Sequence, residues 1–229
     1  MLYEEIGAQE ITLLLLDRMF GRCKLPTEDI LSIAVPAAWH GFAHVVEDLL
    51  NKGLDCNAQN EENNTSLIEA ARLDQEEVIK VLLGHSAYPG LRSNQNLSPL
   101  AEAVEIGACK AAELLLKKGL QLNTIEEAER LLTAAVTECV GQVVERILEE
   151  WMIGLDLKNN FLFWSVLSGE EEGIVRILLK SNADPNYYTT IEVEGWAKGR
   201  RPLDIAIEIH NRAKAQGSLA GWGQSKPCK

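Results

Sequence analysis

The stretch TSLIEAARLDQEEVIKVLLGHSA, residues 65–87, holds two helical patterns with a break between them. The first is short and carries the small pair Ala70–Ala71, which lets helices approach closely. The second places apolar pairs at Val78–Ile79 and Leu82–Leu83, a spacing of i, i+1, i+4, i+5 that makes a wide apolar stripe on a helix. Such a stripe needs a neighbour. The same pairs recur 33 residues upstream at Val45–Val46 and Leu49–Leu50, and 33 downstream at Ala111–Ala112 and Leu115–Leu116. Val143–Val144 with Ile147–Leu148, then Ile174–Val175 with Leu178–Leu179, continue the series at offsets of 32 and 31. A period of this length marks stacked supersecondary units, each burying its apolar face against the next.

The unit reads as a helix, a tight turn, a second helix and a looped return. Gly41 and Gly107 supply the inter-helix turn, and Asp74, Cys139 and Glu170 stand in their place in other units. Gly53 and Gly119 fall just past the second helix, where a left-handed cap favours glycine. Pro36 lies inside a first helix and is expected to kink it. The register predicts Leu82 and Leu115 as buried core.

With those residues in view, TSLIEAARLDQEEVIKVLLGHSA, SPLAEAVEIGACKAAELLLKKGLQLN and NKGLDCNAQN resemble ankyrin repeats, over about nine-tenths of the chain. The resemblance implies an all-α ankyrin-repeat solenoid of helix-turn-helix units with looped fingers. It divides the chain into a degenerate N-terminal half-repeat over 1–24, an array of about five repeats with a C-terminal cap over 25–216, and a flexible tail over 217–229. The leading segment and RPLDIAIE look like the first and last repeats of fungal ankyrin proteins. Val35, Ile68, Ala101, Thr133 and Trp164 replace the motif histidine. EEWMIGLDLKNNF shifts the register, so the array is expected to be irregular past residue 125.

Two rows of positions then point into the concave groove that the resemblance implies. One reads Pro36, Glu69, Glu102, Ala134 and Ser165; the other reads Trp39, Arg72, Glu105, Thr137 and Ser168. Trp39, Glu69, Arg72, Glu102 and Glu105 could recognise a basic protein partner, or the carboxylates could serve as general acid and base in a pocket. The aromatic cluster Trp151, Phe161, Phe163 and Trp164 is expected to be a local core at the register shift.

Bulk properties narrow the choice. The 229 residues are 46% apolar with a net charge of −12, enough for a sizeable core. From Gly195 onward seven Lys/Arg face two acids, which leaves −17 on residues 1–194. A surface so acidic repels phosphate backbones, so no nucleic-acid partner is expected. The longest apolar run, Leu13–Leu16, is far too short for a membrane span, and the first residues lack the basic start of a secretory signal. Five cysteines without zinc spacing are expected as free thiols in the cytoplasm or nucleus. His40 and His44 flank the Gly41 turn and read as surface histidines, so no metal is expected. Phosphate-loop, dinucleotide and nucleophile-elbow motifs are absent, and no cofactor is expected.

One loop is longer than the repeat needs. From Asn57 to Thr65 the return spans eight residues, but from Asn186 to Arg201 it spans fifteen. YYTTIEVEGWAKGRR alternates like an extended hairpin and carries Tyr187, Tyr188 and Trp196 beside Lys198, Arg200 and Arg201. It is read as a contact element, against a cap on the last repeat. The leading function is a non-catalytic protein-interaction module. The alternative is a small-molecule enzyme or binder, such as an isomerase or cyclase of fungal metabolism, with a pocket on the scaffold.

Overall fold

The computed structural model describes residues 27–120, 122–168, 172–188 and 199–215. Among them are eleven helices and no strand. They fall into two compact units, one up to residue 121 and one from 122. The first holds α1 (Thr27–Trp39), α2 (Ala43–Asn51), α3 (Ser66–Arg72), α4 (Glu76–Gly84), α5 (Pro99–Glu105) and α6 (Cys109–Leu116). The second holds α7 (Ile125–Thr137), α8 (Gly141–Glu150), α9 (Leu155–Ser168), α10 (Glu172–Lys180) and α11 (Pro202–Ala215). This is an all-α repeat fold. Expected residues 1–24 and 217–229 lie outside the described residues.

In the first unit α1, α3 and α5 stack as one layer, α2, α4 and α6 as the other, and each first helix packs on its own second helix. The apolar pairs that set the period are the glue: Val45, Val46, Val78, Ile79 and Leu82 are fully buried, and Leu115 is buried with them. The small pairs Ala37–Ala38, Ala70–Ala71 and Ala111–Ala112 are buried too, so backbones meet closely where the layers join.

The period is also written in the backbone. The inter-helix turn needs a left-handed residue, and positive φ recurs at Gly41 (75°), Asp74 (54°), Gly107 (71°) and Cys139 (60°). At Asp74 the strain has a return: its carboxylate accepts a hydrogen bond from the Ala111 amide of the next repeat at 2.7 Å. That amide is in the first turn of α6, whose own N-cap, Ala108, offers no side-chain acceptor. Thr65, Ser98 and Thr124 cap the first helices α3, α5 and α7 from their own side chains. The helix α1 continues through Pro36, which stays exposed.

In the second unit α7 packs on α8 and α9, α9 on α10 and α11, and α8 on α10. Here the first helices have grown at the expense of the loops. The helices α3 and α5 have seven residues each, whereas α7 has 13 and α9 has 14. Only residues 151–154 separate α8 from α9. The aromatic cluster splits: Phe161 and Phe163 are buried, while Trp164 is 40% exposed with its ring edge-on to Phe163 at 6.1 Å. Among the cysteines, burial pushes the Cys56 thiol above its ordinary range. Cys109 is disulfide-bonded, so the expectation of free thiols throughout does not hold there.

Candidate functional site

The acids of the two rows of groove positions differ in burial. Glu69 and Glu102 are 4% and 5% exposed, whereas Trp39 is 42% exposed and Glu105 also lies at the surface. Burial of the carboxylates follows from the fingers, the loops that precede α3 and α5. Each finger turns on a left-handed asparagine, Asn63 (φ 56°) and Asn96 (φ 61°), and brings a polar side chain back over the helix it leads into. From the first finger, Asn64 Nδ2 donates to Glu69 Oε1 at 2.7 Å. From the second, Ser93 Oγ donates to Glu102 Oε1 at 3.4 Å. Asn64 and Ser93 are themselves buried.

Arg72 completes the cluster. Its Nε and Nη2 donate to Glu102 Oε2 and Oε1 at 3.3 and 3.1 Å, a two-pronged grip that crosses from α3 to α5. Its Nη1 donates to Glu69 at 3.4 and 3.5 Å, a weaker contact within α3. Glu102 hydrogen bonding raises the Arg72 pKa above its ordinary value. Burial raises the Glu69 pKa, and the attraction of Arg72 and the Asn64 amide only partly offsets it. One guanidinium thus serves two buried carboxylates. The Arg72–Glu102 pair joins α3 to α5, and little of either carboxylate's surface is open.

The exposed features run along the inter-helix turns. Leu73 and Ile106, equivalent residues at the C-caps of α3 and α5, are 38% and 47% exposed, beside Trp39 at the end of α1. Successive turns are adjacent, because Gln75 Nε2 donates to the Trp39 carbonyl at 3.1 Å. The sequence reading named Trp39 but missed Leu73, Ile106, Asn64 and Ser93. Leu73 and Ile106 could have been found as apolar residues just past a first helix, where the repeat places no core.

In the second unit Tyr188 is 61% exposed and Tyr187 half-buried. Arg201 grips Asp204 through Nε at 2.9 Å and Nη2 at 2.7 Å, and its guanidinium lies 5.8 Å from the centre of the Tyr188 ring. The Arg201 hydrogen bonds hold the Asp204 carboxyl below its ordinary range. Arg200 pairs with Glu208 at 2.5 Å. These basic residues are therefore engaged by acids of α11. Trp196, Lys198 and the expected hairpin lie outside the described residues. Among the described residues no group of three His, Cys, Asp or Glu could hold a metal ion. No helix among them is long and apolar enough to cross a membrane.

Comparison with known proteins agrees with the repeat geometry. A family model of ankyrin repeats, in three copies, matches residues 33–126. Ankyrin repeat domain-containing protein SAT10 of Stachybotrys chartarum is 27% identical over 192 residues, which cover 81% of this chain and 10% of that protein. Ankyrin repeat and KH domain-containing protein mask-1 of Caenorhabditis elegans is 34% identical over 103 residues, or 44% of this chain and 4% of that protein. The chain thus spans a tenth or less of the curated relatives it matches. A chain from the solved complex of the predatory endopeptidase Bd0816 of Bdellovibrio bacteriovorus with immunity protein Bd3460 is similar at a TM-score of 0.55 and 26% identity, over 81% of this chain and 97% of that one.

Proposed function

The chain is an ankyrin-repeat protein, and from that premise we propose that it is a non-catalytic recognition module whose first-helix face binds a protein partner with a basic surface. Ankyrin repeats are in general protein-interaction modules, and the similar solved chain comes from a protein–protein complex. The observation that carries the reading here is the edge formed by Trp39, Leu73 and Ile106, three large apolar side chains left exposed at successive turns. Exposed aromatic and aliphatic groups in a row are what a partner's apolar side chains can cover, with Trp39 as the anchor. Charge sets the partner's sign: the chain carries −12, and Glu105 is at the surface of the same row. The Tyr188 side chain and the loop it enters are proposed as a second contact. The compartment proposed is the cytoplasm or nucleus.

The test starts from a partner captured from a native extract and then measured with purified proteins. Trp39→Ala should weaken binding about thirtyfold, roughly 2 kcal/mol, without lowering stability. Lys110→Ala, on the exposed side of α6, should leave affinity unchanged. Equal binding by wild type and Trp39→Ala, with loss from changes on α4 or α6, would place the interface on the other layer and reject the proposal.

A further inference from the structure

Glu69 is the one buried carboxylate that the cluster holds poorly. Glu102 takes the close, two-pronged side of Arg72, at 3.1 and 3.3 Å, and Glu69 is left with contacts of 3.4 and 3.5 Å. Its best partner is a neutral amide, Asn64. Two carboxylates against one guanidinium leave a surplus negative charge beneath a face with a charged rim. A second cation would settle that charge, and among the described residues none other than Arg72 bonds Glu69: Arg92, on the second finger, donates to the Asn96 carbonyl at 3.1 Å, and Glu105 of α5 is an exposed acid. The finger contributes Glu62, which is acidic too. The described side chains of α1, Leu31 to Trp39, include no titratable group. On α4, Lys80 is already paired with Glu76 and Glu77 at 2.7 and 2.9 Å. On α6, Lys110 and Glu113 are exposed in the other layer.

We propose that Glu69 is a proton-operated element of the recognition face: it takes up a proton ahead of the ordinary glutamates as the pH falls, which removes the surplus charge beneath the partner surface and tightens the packing of α3 on α5. The idea deepens the function proposed above and rests on the same site. Its physical logic is the cost of enclosing charge. Burial disfavours the ionised form of Glu69, so the folded chain holds a proton there at a pH where the unfolded chain has lost it. Because the folded state then binds more protons, stability rises as pH falls through the window between the ordinary glutamate range and the raised folded value. The neutral carboxyl keeps its role as acceptor from Asn64 and releases Arg72 wholly to Glu102. Charge for a basic partner and stability of the free chain are thereby opposed, and pH sets the balance.

The experiment uses the full chain without a partner. Side-chain carboxyl carbon resonances are followed by NMR from pH 7.5 downward, and the denaturation midpoint is measured over the same range, for wild type and Glu69→Gln. The expected result is one glutamate resonance that titrates above the others and vanishes in Glu69→Gln, with a wild-type midpoint that climbs on acidification and a variant midpoint that is flatter. A wild type in which all glutamates titrate together would overturn the proposal, as would a variant that keeps the early resonance and the same climb. If Glu69→Gln did not fold, the wild-type titration alone would decide. Because no partner enters the measurement, its failure leaves the recognition reading standing, and loss of the recognition reading leaves this titration intact.

Discussion

At the scale of single residues, the protein turns on how Arg72 is used. An exposed ion pair contributes little to stability, but Glu69 and Glu102 are enclosed and Arg72 is the only basic side chain bonded to them among the described residues. Arg72→Met keeps most of the side-chain volume and strands two buried carboxylates. It should cost about 3–5 kcal/mol at neutral pH, read from chemical denaturation, and the loss should shrink as the pH falls and the carboxyls take up protons. A loss under ~1 kcal/mol, or one that does not change with pH, would mean that water already reaches the cluster. The sequence showed Glu69 and Glu102 as equivalent places in a repeat, with Arg72 in the neighbouring row, and that much was legible. Their burial was not, because it comes from Asn64 and Ser93 folding back from loops whose path no periodicity encodes. Trp39 was legible for the opposite reason: it stands past the last core position of its helix and is 42% exposed.

At the scale of helices and turns, the left-handed positions separate two kinds of departure from glycine. Ser86 sits at φ 66° just past α4, where Gly53 and Gly119 stand in neighbouring repeats. Ser86→Gly should therefore stabilise by about 0.5–1 kcal/mol, since the strain of a Cβ in that region is relieved. Asp74→Gly should give no such gain. It relieves similar strain at φ 54° but removes the 2.7 Å cap on the Ala111 amide, a loss of about 1 kcal/mol that cancels it. Thermal unfolding of both variants side by side checks the contrast, and equal shifts would show that the cap contributes nothing. The helices themselves were plain in the sequence from their pairs of apolar residues, as were the turns at Gly41 and Gly107. The lengths of α7 and α9 were harder, because a repeat template assigns their first turns to a finger. The pattern was nonetheless present: Ala128, Leu131, Leu132, Ala135 and Val136 are buried at helical spacing, and Thr124 caps the helix three residues before Glu127. The long loop after Tyr188 falls outside the described residues, but its flanking pairs do not. Tyr188→Ala should cost no more than about 1 kcal/mol, the size of an exposed cation–π contact with Arg201.

At the scale of the whole molecule, stability is carried by apolar contacts between neighbours, and charge is proposed to guide the partner's approach. A repeat array has no single centre, so the deep positions of each unit should be nearly interchangeable in effect. Leu82 and Leu115 occupy the same place one period apart, at 0% and 1% exposure, and Leu→Ala at either should cost about 2–5 kcal/mol. A variant with the wild-type denaturant midpoint would contradict the 33-residue register itself. Charge acts on another quantity. The chain carries −12, with −17 over residues 1–194, and such a field would draw the basic partner proposed above toward the surface before contact is made. Its range is set by screening, roughly 30 Å at 0.01 M salt and 10 Å at 0.1 M. Raising salt across that interval should therefore slow association severalfold while dissociation, which the proposed short-range contacts at Trp39, Leu73 and Ile106 would govern, changes far less. Stopped-flow or surface-binding kinetics on the captured partner would separate the two rates. Association rates that stay flat across the interval would remove long-range charge from recognition and leave the apolar edge to act alone.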